Sequence, residues 1–382
     1  MNVAPGDARA LVRALVAIDS RNPSLASDGP GEAACAEHLR AILAAWGFRV
    51  ELQELGADRA NVIARIGASG GASLMFNGHL DVVGTEGMTH PPFACVERDG
   101  NLFGRGAADM KGGVAAMCAA AWRAAQQDLA GEIIVAAVCD EEFESMGTRA
   151  VVDRGIRADA AIVCEPTQLA IMPAHRGFAW IEVEVHGRAA HGSRWEIGVD
   201  AVRHMGLLLA ELDRIDAELL PRLRHPLLGR PSLHASYIEG GLGMSTYPDR
   251  CMLRLERRTI PGEKVGDVVA QVEQACEEVR RRRSTFDASV RLMFSQRPSD
   301  VASDAPVVTA LGSALTACGE PVRITGMSAW TDAAILNDAG IPAICFGPGD
   351  ISLAHAAEEY IPLDEIDRAT DVLTVFAQRW CA

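Results

Sequence analysis

The acids and histidines of this chain stand where chemistry could be done. His79 and Asp81 follow the apolar run Ser73-Leu74-Met75-Phe76 after Asn77-Gly78. A His-x-Asp pair at the exit of a buried strand can supply a metal ligand together with its orienter, because a ligating histidine gives its second ring N–H to a carboxylate or carbonyl. Alone, the pair reads as a turn or a satisfied core histidine, but the pattern recurs. The run 132–139 leads into Asp140-Glu141-Glu142, the run 160–164 into Glu165-Pro166-Thr167, and the run 341–346 into Gly347-Pro348-Gly349 and a loop with His355. Asp109 lies in Gly104-Arg105-Gly106-Ala107-Ala108-Asp109-Met110-Lys111-Gly112-Gly113, at the mouth of an alanine-rich helix. These glycines lack the third glycine of a phosphate loop, and Asp109 would repel a phosphate. The stretch is either a turn for close helix packing or an approach of backbone to a cation.

Histidine and carboxylate ligands without cysteine suit Zn²⁺, with Co²⁺ or Mn²⁺ as substitutes. His79, Asp109, Glu142, Glu165 and His355 are too many for one catalytic zinc, which takes three protein ligands and keeps a place for water. Shared between two ions, with one carboxylate bridging, they fit a pair about 3.5–4 Å apart. Glu141 and Glu142 can diverge on an irregular turn, one toward the metal and the other toward water as a general base. The residues themselves therefore point to a two-metal hydrolase.

Strands that end in ligands call for an α/β sheet, where ligands bind beyond the carboxyl ends of the strands. Helical spacing over 8–19, 31–46, 114–127 and 363–380 supplies flanking helices, and residues 48–52 and 61–66 alternate like strands. From Gly177 the texture changes to strand, helix, two strands, helix and strand, ending at Phe294. That βαββαβ order is the split ferredoxin-like unit. The expected organisation is a catalytic domain of residues 1–176 plus 295–382, interrupted by an inserted domain at 177–294.

With 382 residues, 49% of them apolar, the chain is long enough for two domains with large cores. A formal net charge of −15 argues against nucleic acid and anionic membrane surfaces as partners. No apolar run approaches the roughly 20 residues of a membrane helix. The N-terminus reads as an amphipathic helix without the features of a signal peptide. The ten cysteines include no Cys-x-x-Cys pair, and six of them (Cys35, Cys118, Cys139, Cys164, Cys276 and Cys345) read as small buried hydrophobes in a reducing compartment, which makes the cytoplasm the expected location.

Across most of its length the chain resembles the M20 metallopeptidase family, the group of acetylornithine deacetylase, succinyl-diaminopimelate desuccinylase, aminoacylase-1 and bacterial glutamate carboxypeptidase. The resemblance is carried by Gly78-His79-Leu80-Asp81, Gly104-Arg105-Gly106 with Asp109-Met110-Lys111-Gly112, Asp140-Glu141-Glu142, Cys164-Glu165-Pro166-Thr167, Gly187-Arg188-Ala189-Ala190-His191-Gly192-Ser193 and Gly347-Pro348-Gly349 before His355. It implies a zinc-peptidase-like mixed sheet flanked by helices, with the insert as a lid and dimerisation domain. It also implies two zinc ions, one on His79 and Glu165 and the other on Glu142 and His355, with Asp109 bridging. Asp81 would orient His79, Glu141 would be the general base, and the peptide after Asp109 would be cis.

In the insert, the resemblance implies that His191 stabilises the oxyanion, reaching the site of a partner subunit in dimeric members. From the residues alone His191 would cap the segment after Gly187. Arg258 resembles the arginine that grips a substrate carboxylate, with Arg257 as an alternative, since alternation lets only one of them face a given side. Ser245 stands where members often carry an asparagine, a departure that bears on the acyl group.

The implied activity is hydrolysis of the amide bond of an N-acyl amino acid, with motifs nearest the acetylornithine deacetylase branch. The alternatives are a dipeptidase or carboxypeptidase acting on a short peptide, and a metal-binding homologue without catalysis. The last would need a missing ligand or base, and none is missing.

Overall fold

The computed structural model describes residues 3–382 and divides the chain into two compact units. The first comprises 1–173, 301–325 and 331–382; the second comprises 174–300 with 326–330.

The first unit is built on a mixed sheet. Its strands run in the order Arg49–Glu54, Ala60–Gly67, Glu132–Val138, Ser73–His79, Ala160–Val163 and Ala343–Cys345. Among the first three each strand is antiparallel to its neighbour, and the last four are parallel to one another. The register pairs His79 with Val138, Asn77 with Val163, and Val163 with Cys345. Four strands thus finish at nearly the same level on one edge. Leu74, Phe76, Ile133, Val135, Ile162 and Ile344 are buried from these strands, as expected for parallel strands covered on both faces.

The helix Gly112–Ala124 is almost wholly buried and packs with the helix Leu363–Trp380 in the same core. Its run of Ala and Gly is what permits this. A Cβ on Gly113 would lie 1.9 Å from the carbonyl oxygen of Cys164, and one on Gly347 would lie 2.6 Å from that same oxygen. Glycine at both positions lets two backbones close on the segment that carries Glu165.

The second unit is an antiparallel four-stranded sheet in the order Ser232–Gly240, Arg250–Thr259, Gly177–His186, Asp287–Gln296. In chain order the strands and the helices Ala201–Arg214 and Val265–Arg282 make βαββαβ. Ala179, Ile181, Val183 and Val185 form a core with Met205, Leu208, Leu212, Val268, Val272 and Cys276 of the two helices. Phe178 and Trp180 alternate to the opposite face, where they meet Phe294 at ring-centroid distances of 5.9 and 5.7 Å.

All ten cysteines are free, eight of them buried. Among the described residues no helix is long and apolar enough to cross a membrane.

Candidate metal centre

The aligned strand ends deliver the chemistry. His79 closes its strand, Glu141 and Glu142 follow Val138 by way of Cys139-Asp140, and Glu165 follows Val163 after Cys164. Asp109 stands just before the buried helix at 112–124, and its peptide bond to Met110 is cis. His355 lies in the loop beyond Ala343–Cys345, with a left-handed φ of 61°.

These residues converge into two groups that share Asp109. In His79–Asp109–Glu165 and in Asp109–Glu142–His355, one potential ligand atom of each residue lies within 4.8 Å of the others. The two oxygens of Asp109 face different imidazoles: Oδ1 is 3.1 Å from His79 Nε2, and Oδ2 is 3.6 Å from His355 Nε2. His355 Nε2 is 3.0 Å from Glu142 Oε2. Glu141 Oε2 lies 4.0 Å from His79 Nε2, alongside this cluster.

His79 Nδ1 donates to the backbone carbonyl of Asp81 at 2.8 Å, which leaves Nε2 as the nitrogen directed at the acids. The Asp81 carboxylate is farther, at 3.6 Å from Nδ1. Its oxygens instead accept the backbone N–H groups of Glu141 and Glu142, at 3.1 and 3.2 Å, and the amide of Asn22 at 2.9 Å. The resemblance made Asp81 the orienter of His79; the main-chain oxygen of that residue makes the hydrogen bond, and the side chain holds the acidic turn.

Burial raises the carboxyl groups of Glu141 and Glu165 well above the ordinary range, and neighbouring carboxylates add to the effect. Burial likewise raises Glu142, with Asp109 adding to it. Burial pulls His79 down, but its hydrogen bond to Asp109 and the charges of Asp81 and Glu141 leave it well above its usual pKa. The hydrogen bond to Glu142 lifts His355 to about 9. The cations opposing Glu142 and Glu165 are those imidazoles. Carboxylates taken out of water need a cationic partner, and this donor set of oxygen and imidazole nitrogen fits two divalent ions sharing Asp109.

Two supports were not visible in the sequence. Glu359 is buried, and its Oε1 accepts the N–H groups of Ala108 and Asp109 at 3.0 and 3.2 Å. Its Oε2 is paired with buried Arg105 at 2.6 Å, which ties the stretch after His355 to the Asp109 backbone. Asp332 immediately precedes the helix Ala333–Asp338. It is buried, accepts the Thr148 hydroxyl at 2.6 Å, and is raised by burial to about 6. A lone acid in a loop carries no periodic signal, so only its distance from Thr148 in the chain and nearness in space identify it.

The remaining candidates lie in the second unit. His191 and Ser245 come together there: the N–H of Gly192 donates to the Ser245 carbonyl at 2.8 Å, and His191 pairs with Thr246 as an isolated bridge. The His191 ring is exposed, with Nδ1 2.8 Å from the Ser193 hydroxyl. Of the two arginines, Arg257 is buried and paired with Glu263. Arg258 is partly exposed, bonded to Glu256 at 2.6 Å, with its guanidinium 5.3 Å from the Phe178 ring centroid. Alternation thus leaves Arg258, not Arg257, with a guanidinium that solvent can reach.

Comparison with known proteins agrees with this architecture. The family described as peptidase family M20/M25/M40 matches residues 75–379. The chain is 32% identical over 354 residues to an acetylornithine deacetylase from Myxococcus xanthus, covering 90% of this chain and 91% of the relative. It is 28% identical to N-formyl-4-amino-5-aminomethyl-2-methylpyrimidine deformylase from Bacillus subtilis, covering 88% and 86% of the two chains. The crystal structure of aminopeptidase PepT from Bacillus cereus superposes with a TM-score of 0.80 at 20% identity, over 98% of each chain. The chain belongs to the M20/M25/M40 peptidase family and is a metal-dependent amide hydrolase.

Proposed function

We propose that the protein removes the acyl group from N-acyl amino acids, using a pair of zinc ions. The observation that carries this reading is the pair of ligand groups joined at Asp109. His79 and Glu165 would hold one ion, Glu142 and His355 the other, and Asp109 both. When bound, such ions lower the pKa of a water and polarise the scissile carbonyl. Glu141 would be the general base, taking a proton from the attacking water and returning it to the departing amine. Burial suits this task, because a carboxyl raised from its usual range is a stronger base for water and a competent acid for an amine.

His191 supplies an N–H to the developing oxyanion, a contact worth roughly 3–4 kcal/mol where such donors have been removed. Arg258 offers a planar bidentate donor to the substrate carboxylate, and Ser245 replaces a longer amide with a short hydroxyl beside it in role. A homodimer through the second unit is consistent with its edge strand Ser232–Gly240, which pairs on one side and exposes Tyr237 and Ile238. The free cysteines suit a cytoplasmic location.

Both relatives named above are, by name, enzymes that remove a small acyl group, a deacetylase and a deformylase, which favours deacylation over peptide cleavage. The experiment is amine release from a panel of N-acyl amino acids, N-acetylornithine included, beside dipeptides. Chelator-sensitive release from the N-acyl amino acids is expected. Cleavage confined to dipeptides would replace this reading with a dipeptidase.

A further inference from the structure

We propose that Asn22 and Arg59 are positioning residues for the turn that carries Glu141 and Glu142. Asn22 is fully buried. Its Nδ2 donates to two carboxylates at once, to Asp81 Oδ2 at 2.9 Å and to Asp140 Oδ1 at 3.0 Å. Its Oδ1 accepts Arg59 Nη2 at 2.5 Å and the N–H of Ser24 at 2.9 Å. The main chain of Asn22 is fixed as well, its N–H donating to the Val82 carbonyl at 2.9 Å just past the strand that ends at His79. Arg59 closes the cluster by pairing with Asp140 through Nη1 and approaching Glu32 Oε1 at 3.5 Å.

What this cluster holds is the acidic turn. Asp81 accepts the N–H groups of Glu141 and Glu142, and Asp140 Oδ2 accepts the N–H of Met146 at 3.3 Å. Asp140 adopts a left-handed φ of 66°, a region that aspartate enters more readily than most residues with a side chain and that its hydrogen bonds here hold in place. The Asn22 amide stands between two buried carboxylates, Asp81 and Asp140, and by donating to both it offsets their repulsion alongside the Arg59 charge. Arg59 in turn fixes which way the Asn22 amide faces, since a guanidinium can only donate to its oxygen. The direction of force therefore runs from Arg59 through Asn22 to Asp81, and from there to the backbone from which the proposed base and a proposed ligand project. Groups of this kind behind a metal centre typically change affinity or activity about 10–100-fold when removed.

The activity arm of the test rests on the deacylase reading, while the exchange arm does not. In the metal-free protein, Asn22→Ala is expected to speed hydrogen exchange of the Glu141 and Glu142 amides about tenfold or more, with the amides of the strand Glu132–Val138 unchanged. In the zinc-loaded protein the same variant is expected to lower kcat about 10–100-fold with KM little altered. Arg59→Ala, at a side chain that reaches the surface, carries the same expectation if Asn22→Ala does not fold, and Arg59→Lys, which keeps a cation beside Asp140, is expected to restore part of both. Unchanged exchange at 141–142 in a folded variant overturns the proposal, as does a fall in kcat matched by general loosening of the sheet. If the wild-type protein releases no amine from any substrate, the deacylase reading fails and the exchange result still decides the role of Asn22 and Arg59.

Discussion

Glu141 and Glu142 are neighbours in the chain and face different tasks. Glu142 lies 3.0 Å from His355, within a ligand group, whereas Glu141 belongs to neither group and stands 4.0 Å from His79. Glu141→Gln is therefore expected to lower kcat by about 10²–10⁴-fold, the usual worth of a general base, while metal content measured by atomic absorption stays at the wild-type value. Loss of metal along with activity would make Glu141 a ligand. The residues that end strands were legible in the sequence because each follows an apolar run, and four such endings in one chain are hard to produce by chance. Asn22, Asp332 and Glu359 were not. Their partners lie 118, 184 and 250 positions away, and a polar residue whose purpose is a distant hydrogen bond leaves no local pattern.

At the scale of elements, hydrophobic runs located the four parallel strands and the flanking helices, because a strand covered on both faces must be continuously apolar. The helix Met146–Asp153 and the three-residue strands Val96–Arg98 and Asn101–Phe103 escaped, being too short or too polar to display a period. The glycines Gly113 and Gly347 show how elements set the site's precision. Gly113→Ala would drive a methyl into the Cys164 carbonyl and push away the segment bearing Glu165. Overpacking of this kind costs about 1–3 kcal/mol. A denaturant melt is expected to show that loss, and metal affinity is expected to fall with it; a variant as stable as wild type would mean the helix can shift freely on the sheet.

At the scale of the whole molecule, acid stability depends on more than the metal site. His175, in the second unit, is buried, donates from Nδ1 to the Arg176 carbonyl at 3.0 Å, and has no hydrogen-bond partner at Nε2 among the described residues. Burial lowers its pKa from 6.5 to about 4. A base whose folded pKa is depressed stabilises the fold fully above its unfolded pKa. That stability is lost as pH falls from 6.5 toward about 4, and the loss is on the order of 3 kcal/mol. His175→Gln, which cannot titrate, is expected to show a smaller loss of stability between about pH 7 and about pH 4.5 in denaturant melts than wild type. Equal losses would place the acid sensitivity elsewhere.

The claim on which the rest depends is that two divalent ions share one carboxylate. Titrating Co²⁺ into the chelator-stripped protein, with binding followed by visible absorbance and amide hydrolysis assayed at each point, tests it most directly. About two equivalents per chain are expected, with Asp109→Asn weakening both and His355→Ala weakening one while leaving the other near its wild-type affinity. A single equivalent, or hydrolysis that persists undiminished in the stripped protein, would contradict the two-metal account.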